Sequence, residues 1–525
     1  MKADLTRNTF NPGKHFARVL MQQGRVQLDA DGNEQTAILL HYLQALAADV
    51  IGPRGGPSDN CGFMISPLAA SKPVLNDFRI SSGRYYVDGL LCELDAAPTA
   101  VATASATQPK QVVVASWTVD GLEFGKNQYV ELSNAKTPPQ VVVAQVVDAD
   151  RATNTLTLDT DISALKPSSL RRVVSYLSQP DFAAGATALA VGSYLAYLDV
   201  WERTVTYAQD DSIREVALNG ADTAARSKVV CQVKVMPPNA AVPDPTTLID
   251  PANRGYLRAR SIKSAASADP CTISPNARYR GPENQLYRVE IHTGSLDAAG
   301  GKTTPTFKWS RENGSVVFPI ARSSGANTFV LESLGRDDRF GLAEGDWVEI
   351  QDDDSILLNR AEKLLQVQSI DRPTLTVRLS AAVGSTTGRS PEKHPLLRRW
   401  DQKAGDPVKG GLELGPDNAA LIVEGDTWIE VESGVQIQFQ CAVAGQPDSI
   451  YRTSDYWTIP ARVATGDVEW PTESPVDRQS DPSPSPVALP PEGVTHHYAP
   501  LADLKVDASA VRITKALSRV FNPLP

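Results

Sequence analysis

Short strand patterns joined by tight-turn dipeptides recur along this chain after residue 60. An Asp-Gly or Asn-Gly pair supplies the positive φ angles that a two-residue hairpin needs. Two such hairpins are predicted, with Asp88-Gly89 between residues 84–87 and 90–93 and with Asn313-Gly314 between residues 306–309 and 315–318. The 35 Gly and 38 Pro among 525 residues also favour a turn-rich fold. The predicted fold class is mainly β and multi-domain, with β-sandwich or barrel-like modules and an N-terminal amphipathic helix.

That helix is predicted just before the strands begin. Asp31 and Glu34 have the spacing of a capping box, and Gly52-Pro53 supplies a stop signal. Apolar side chains recur between them at helical spacing, at Ile38, Leu39, Tyr42, Leu43, Leu46, Ala47 and Val50. Packing of this stripe on the chain's own sheets is the ordinary outcome. Docking onto another subunit is the alternative.

Charge and cysteine usage exclude several classes of function. The net charge is −10, so no global basic field attracts nucleic acid or an anionic membrane. The five cysteines contain no C-x-x-C pair, which favours synthesis in a reducing cytosol. The first residues lack the apolar core of a signal peptide, and no segment approaches the roughly 20 apolar residues of a membrane span. We therefore expect neither a nucleic-acid partner nor membrane insertion.

A weak internal repeat indicates how the β modules are organised. Residues 128–132 resemble residues 346–350, and a second matching piece follows each of them, at 146–158 and at 369–377. A duplicated barrel-like module and chance similarity between strand-turn-strand sequences explain this equally well. Pro-rich linkers are predicted at 236–251 and at 471–493.

The repeat and linkers suggest a domain order along the chain. The predicted domains are a docking segment and helix at 1–55, a hairpin region at 56–120, a first small β module at 121–165, a central β domain at 166–335, a second small β module at 336–385, a C-terminal β region at 386–470, and a Pro-rich strap with the C-terminal segment at 471–525.

Catalytic and ligand motifs fail in their spacing. Residues 294–303 resemble a phosphate loop without its spacing, and residues 29–34 begin like a calcium loop but lack its central Gly. The acidic run at 352–354 is interpreted as a solvated turn, and His496-His497 lacks a third metal ligand nearby. We therefore assign no catalytic, cofactor-binding or metal-binding residue and predict no enzyme. A polysaccharide-cleaving enzyme stays open as an alternative.

Tyr456 and Trp457 lie in an aromatic-rich segment beside predicted loops. Exposed aromatic rings of this kind form sugar-binding platforms, so these two residues are the candidate glycan contacts. In a β-rich protein such rings more often lie in the core. The alternative function that they suggest is a carbohydrate-binding or cell-surface recognition module, with a cell-surface glycan as its partner.

Several segments together resemble a known family. They are residues 11–16, 21–31 and 33–34 at the start of the chain, and then residues 197–203, 307–316, 345–349 and 455–462. Over most of the chain they resemble the DUF6519-type proteins, an uncharacterised bacterial family. The opening is also similar to the attachment ends of phage tail and baseplate proteins. One departure is Gly32, which stands where the pattern has an aromatic residue.

The resemblance implies a structural component of a contractile tail-like injection particle, such as a baseplate, spike or tail-appendage protein. It implies synthesis in the bacterial cytoplasm, incorporation into the particle, and assembly with other particle subunits and as a homo-oligomer; release outside the cell stays open. Removal of residues 1–52 is expected to prevent assembly while the β core still folds. The candidate partner-docking residues are Phe16, Met21, Arg25, Leu28, Ile38, Tyr42 and Leu46.

Overall fold

A computed structural model describes most of the chain. The described residues are 1–68, 77–119, 122–182, 189–236, 253–262, 278–296, 301–335, 340–405, 411–441, 449–473, 485–508 and 510–522. The predicted mainly β, multi-sheet fold is confirmed. Nearly all of the predicted linker at 236–251, and residues 474–484 of the predicted strap, lie outside the described residues.

The chain divides into two compact units, each built from three separate segments. Unit 1 consists of Met1–His41, Glu202–Lys228 and Asp250–Thr495, and unit 2 consists of Tyr42–Trp201, Val229–Ile249 and His496–Pro525.

The predicted helix is present as α1, Asp29–Ile51. It begins two residues before Asp31, and the predicted capping box is wrong because the Glu34 carboxylate accepts a hydrogen bond from Thr9 Oγ1 at 2.6 Å. Its end is confirmed, since Gly52 adopts a φ of 91° and donates its N–H to the Ala48 carbonyl. Within the described residues, no helix combines the length and apolar character that spanning a bilayer requires.

Shorter helical segments occur elsewhere in the described chain. They are α2 (Asp353–Leu357) and the 3₁₀ turns Pro12–Lys14, Asp211–Ile213, Val216–Leu218 and Pro391–Lys393. The acidic run at 352–354 therefore starts a helix, with the buried Asp352 side chain capping the N–H of Ser355, and is not the solvated turn expected.

Unit 2 contains two four-stranded sheets, ordered β34-β1-β4-β5 and β15-β14-β32-β33. The strands are β1 (Arg54–Pro57), β4 (Gly83–Val87), β5 (Leu90–Leu94), β14 (Gly192–Val205), β15 (Arg226–Met236), β32 (His496–Val506), β33 (Val511–Ala516) and β34 (Val520–Phe521). Both sheets contribute to one apolar core, for example through Tyr85, Leu198 and Leu504. The Asp88-Gly89 hairpin is confirmed, with Val87 opposite Leu90.

Unit 1 also contains two sheets, ordered β16-β27-β26 and β25-β18-β17-β28-β29. The strands are β16 (Tyr256–Ser261), β17 (Gln285–Ile291), β18 (Thr306–Ser310), β25 (Ala420–Leu421), β26 (Ile429–Glu432), β27 (Val435–Gln440), β28 (Tyr456–Arg462) and β29 (Asp467–Val468). They share an apolar core that includes Val289, Phe439 and Trp457. Three antiparallel pairs of two-residue strands complete the described strands, namely β2 (Ile65–Ser66) with β3 (Arg79–Ile80), β8 (Thr118–Val119) with β9 (Leu122–Glu123), and β30 (Thr472–Glu473) with β31 (Ser485–Pro486).

Each unit also carries a closed six-stranded barrel. The barrel of unit 2 consists of β6 (Ala100–Ala104), β7 (Gln111–Val114), β10 (Tyr129–Ser133), β11 (Val141–Asp150), β12 (Thr155–Leu158) and β13 (Ser169–Arg172). The barrel of unit 1 consists of β19 (Val317–Ser323), β20 (Thr328–Leu331), β21 (Trp347–Gln351), β22 (Leu365–Asp371), β23 (Thr376–Leu379) and β24 (Leu396–Trp400).

The two barrels have the same strand order. Taken in chain order, their six strands close in the sequence third, fourth, fifth, second, first and sixth. The fourth strand of each has a bulge at the same place, after Val146 in one barrel and after Val367 in the other. The sequence repeat falls on the third to fifth strands of both barrels. The shared order and the shared bulge favour duplication over chance similarity.

The predicted Asn313-Gly314 hairpin is wrong. Both residues adopt the expected positive φ, 52° and 66°. However, β18 pairs with β17 and β25, whereas β19 pairs with β20 and β24. The turn therefore carries the chain from a sheet into the barrel, because the apolar residues that flank it belong to different cores.

Gly89 allows a close approach of α1 to the hairpin turn in unit 2. A Cβ at Gly89 would lie 2.1 Å from the Gln44 carbonyl oxygen, and its φ is 81°. We expect Gly89→Ala to lower the melting temperature of unit 2 more than Gly52→Ala does. Both substitutions incur the left-handed strain of about 1–2 kcal/mol, but near Gly52 the added Cβ meets only the mobile end of the Arg519 side chain. Calorimetry of both variants checks this, and equal melting temperatures would contradict it.

Candidate docking arm

One face of the β18-β17-β28 sheet in unit 1 is lined with buried charged and polar side chains. Lys308, Glu290 and Tyr456 stand directly opposite one another on the three neighbouring strands. All three side chains are buried, although the opposite face of the same sheet already packs on the apolar core. A strand buried on both faces normally carries apolar residues on both. These charges therefore need partners inside the protein.

The barrel of unit 1 supplies the first of these partners. Glu349 on β21 accepts a hydrogen bond from Lys308 Nζ at 2.6 Å and another from Trp400 Nε1 at 3.0 Å. Burial acts to raise the pKa of Glu349, but Lys308, His292 and Lys2 together hold that pKa below its usual value. The ion pair between Lys308 and Glu349 thus links the sheet to the barrel.

The beginning of the chain supplies the second partner. Lys2 Nζ lies 2.8 Å from Glu290 Oε1, and Arg288 Nε donates to the other carboxylate oxygen at 2.6 Å. Burial lowers the pKa of Lys2 to about 8, against the opposing effect of Glu290. For Glu290, burial acts to raise the pKa, but Lys2, Arg288 and Lys308 together hold it well below the usual range. A charged Glu290 is therefore held by three cations.

Backbone hydrogen bonds fix the same segment. Asn313 Nδ2 donates to the carbonyl oxygens of Met1 and Ala3, at 3.0 and 2.9 Å. The Asn313-Gly314 turn, which the sequence predicted as a hairpin, is thus the point where residues 1–3 are held against the buried charges.

Side chains on α1 and just past β29 anchor the following residues. The Asp29 carboxylate accepts hydrogen bonds from the N–H and Oγ1 of Thr6, at 2.9 and 2.6 Å. Arg7 pairs with Glu469 just past β29, at 2.8 Å. Together with the bond from Thr9 to Glu34, these contacts clamp residues 1–10 onto unit 1.

Residues 15–28, which we call the arm, follow this clamp and run without helix or strand to the start of α1. One contact holds the arm midway, the Val19 N–H donating to Gln35 Oε1 at 2.9 Å. Large apolar side chains along the arm are nevertheless exposed, from 48% at Leu28 to 84% at Val26, namely Phe16, Leu20, Met21, Val26 and Leu28. The arm is therefore tied at both ends and uncovered between them.

The second half of α1 presents a similar surface. Four apolar side chains, which we call the helix face, are each more than half exposed: Tyr42, Leu43, Leu46 and Val50. Within the predicted stripe Ile38 is buried, at 1% exposed, and Ala47 is half-buried, so the ordinary outcome of packing on the chain's own sheets does not hold for most of the stripe. Contiguous exposed apolar surface of this kind marks a site of protein interaction.

Most of the predicted docking residues thus lie on the surface. Phe16, Met21, Arg25 and Leu28 belong to the arm, and Tyr42 and Leu46 belong to the helix face. Ile38 is the exception, because it is buried and inaccessible to a partner.

The two predicted glycan contacts are not on the surface. Trp457 is 1% exposed in the sheet core, where its Nε1 donates to the Leu489 carbonyl. Tyr456 is 7% exposed and lies under the Arg288 guanidinium, 3.5 Å from the ring centroid. A sugar-binding platform formed by these rings is therefore ruled out by their burial, and the core interpretation of the aromatic segment is correct.

The histidines near the buried charges and in unit 2 lie beside separate carboxylates. His292 lies about 4 Å from the carboxylates of Glu349 and Asp417, too far for hydrogen bonds, and burial lowers its pKa to about 4. In unit 2, His496 and His497 bind different carboxylates, those of Asp199 and Asp88. Among the described residues, no group of three or more His, Cys, Asp or Glu side chains is arranged to hold a metal ion.

Sequence reasoning missed Lys2, Glu290 and Lys308. On β17, charged residues alternate with Tyr287, Val289 and Ile291, the pattern of a strand with one solvent-facing side. The covering elements come from residues 1–3 and from a barrel that begins only at Val317, so no local pattern reveals them.

These features define a class of protein: mainly β, with paired sheets, two barrels of equal topology and an exposed N-terminal arm. A family model described as "Family of unknown function (DUF6519)" matches residues 1–133, 178–254 and 250–512, and the chain belongs to this family. Neither the curated proteins nor the solved structures include a match to this chain.

Lys2 is expected to hold residues 1–10 in place. We expect Lys2→Met, which keeps most of the length of the side chain but removes its charge, to speed amide hydrogen exchange in residues 3–10. The physical reason is the loss of the bond to Glu290, the most buried contact of the clamp. Lys126→Met, at an exposed lysine, is the matched control. Unchanged exchange in the Lys2 variant would show that the remaining contacts suffice.

Glu290 is expected to make unit 1 sensitive to acid. Its pKa is lowered on folding, so its contribution is complete above the unfolded value of about 4.5 and is lost as the pH falls below it. We expect Glu290→Gln to destabilise unit 1 by about 3–5 kcal/mol at pH 7 and to flatten the loss of stability between about pH 5 and pH 3. Urea denaturation followed by tryptophan fluorescence measures both effects. The control is Glu413→Gln, at an exposed glutamate, and a parallel acid dependence in the two variants would refute the assignment.

Proposed function

We propose that this protein is a structural subunit that assembles with other proteins through its arm and helix face. The observation that carries this proposal is the contrast along residues 1–28. Residues 1–10 are clamped by the ion pair of Lys2 with the buried Glu290 and by hydrogen bonds such as that of Thr6 with Asp29, while the apolar side chains of the arm are exposed in a single chain.

Burial of those side chains supplies the energy for assembly. Covering an exposed Leu, Val, Met or Phe contributes roughly 1.5–3 kcal/mol. The arm is fixed at both ends, so docking orders fewer residues than the docking of a free tail would. Several such side chains are enough for a stable contact.

The assembly that we propose is a phage-tail-like contractile injection particle, in which this chain is a baseplate, spike or tail-appendage protein. The similarity of its opening segment to tail and baseplate attachment ends supports this. The closed barrels support a structural role, because a closed barrel has no free edge strand at which chains aggregate. The proposal places synthesis in the bacterial cytoplasm and assigns the protein no catalytic residue.

The clamp and the arm lie in the same N-terminal segment, so a deletion of that segment affects both. Deleting residues 1–52 would remove Lys2 and leave the buried Glu290 with fewer cations, so the remaining chain is not expected to fold intact. Substitutions on the exposed arm leave the clamp in place and test docking alone.

We expect Val26→Asp to release the protein from high-mass particles. In a native lysate fractionated on a density gradient, the unmodified chain should sediment with particles that look like tails under the electron microscope. The variant should shift to light fractions, with at least a roughly tenfold smaller share in the particle fraction. Val216→Asp is the matched control, because Val216 is 86% exposed and also lies in unit 1. An unmodified chain in the light fractions, or a Val26 variant that stays with the particles, would refute the proposal.

A further inference from the structure

The arm and α1 carry opposite charges. The arm contains Arg18 and Arg25 and no acidic residue, whereas α1 contains four acidic residues and no Lys or Arg, its acids being Asp29, Asp31, Glu34 and Asp49. Arg18 and Arg25 make no ion pair with any residue in the described ranges, and Asp49 is likewise unpaired among them. Asp29 and Glu34 already bind Thr6 and Thr9, so Asp49 is the acidic residue in the half of α1 that carries the helix face. The basic, apolar arm and this acidic, apolar half of the helix are complementary to each other.

The arm cannot satisfy this complementarity within its own chain. The bond from Val19 to Gln35 holds it beside the first turns of α1. Leu46 lies eleven residues further along the helix, which at 1.5 Å per residue is about 16 Å away. The helix face is accordingly exposed in the single chain.

We infer that the arm docks on the helix face of a second copy of this chain. This inference rests on the proposed function and names one of its partners. A two-fold pair covers both surfaces in both copies with one repeated contact, arm on helix and helix on arm, as an isologous interface requires. Arg18 and Arg25 of one copy then approach the acidic helix of the other, near Asp49. A single different partner would have to match a basic and an acidic surface at once.

Sedimentation velocity of the purified full-length chain over a range of concentrations tests the inference. We expect a dimer whose dissociation constant rises at least roughly tenfold in Leu20→Asp, on the arm, and in Leu46→Arg, on the helix face. Both side chains are more than half exposed, so neither change disturbs the core. Val216→Asp, at an equally exposed position outside both surfaces, should dimerise like the unmodified chain.

Mixing the two defective variants gives the sharper result. In a mixed pair, the native arm of the Leu46→Arg chain meets the native helix face of the Leu20→Asp chain, and the two new charges of opposite sign meet at the other contact. We therefore expect the mixture to form dimers that neither variant forms alone. An interface elsewhere on the surface would leave both variants dimeric, and that result overturns the inference.

The outcomes also separate this inference from the proposed function. If the unmodified chain is monomeric throughout, while Val26→Asp still leaves the particle fraction, the arm docks on a different subunit and only the second-copy inference fails. If the unmodified chain is monomeric and sediments free of particles, both fail.

Discussion

The buried carboxylate of Glu290 is the interaction on which the arrangement of unit 1 depends. It lies on the central strand of a sheet whose other face is already covered by an apolar core. An uncompensated charge there would be strongly destabilising, and its compensation comes from two directions. Arg288 and Lys308 come from the sheet itself, and Lys2 comes from the start of the chain. The electrostatics of the core thereby determine where the N-terminal segment lies, and so where the arm begins.

The barrel of unit 2 carries a buried glutamate at the same position as the barrel of unit 1. This shared glutamate supports the duplication of the barrels in addition to their shared strand order. Glu131 and Glu349 occupy the same position on the third strand of their barrels, opposite Arg171 and Arg398. Glu131 binds Arg79, on a strand that precedes its barrel, at 2.7 Å. Glu349 binds Lys308, on the strand that precedes the other barrel, at 2.6 Å. In both units a glutamate thus fastens a barrel to a preceding strand. In unit 1 the network extends further, through Glu290 to Lys2, and this is where the clamp forms.

The sequence predicted correctly those features that depend on residues close together in the chain. Gly52 ends α1 and Asp88-Gly89 closes a hairpin, because both depend on the φ of one or two residues. The repeat could be detected because its strands keep the same sequence pattern in each copy.

The Asn313-Gly314 hairpin was predicted wrongly because the two residues determine only the turn. Residues far away in the sequence determine which core each flanking strand joins. The alternation of charge on β17 was equally misleading, since a solvent-facing side and a side covered by a distant barrel look alike in sequence. The candidate docking residues of the arm came from the family resemblance, and their side chains are exposed; Ile38, on the helix, is buried.

A clamp formed by buried charges suits an assembly arm better than an apolar anchor would. An apolar anchor adapts to many pockets, so it would compete with the arm for the same partner surface. The charges of Lys2 and Glu290 fit only where the geometry of the three opposing strands places them, and leaving that position exposes an unpaired buried carboxylate. The arm is therefore presented in one register relative to unit 1, with its backbone attached at both ends. Because that attachment is made when the chain folds, less backbone entropy is lost when the arm's apolar side chains are covered by a partner.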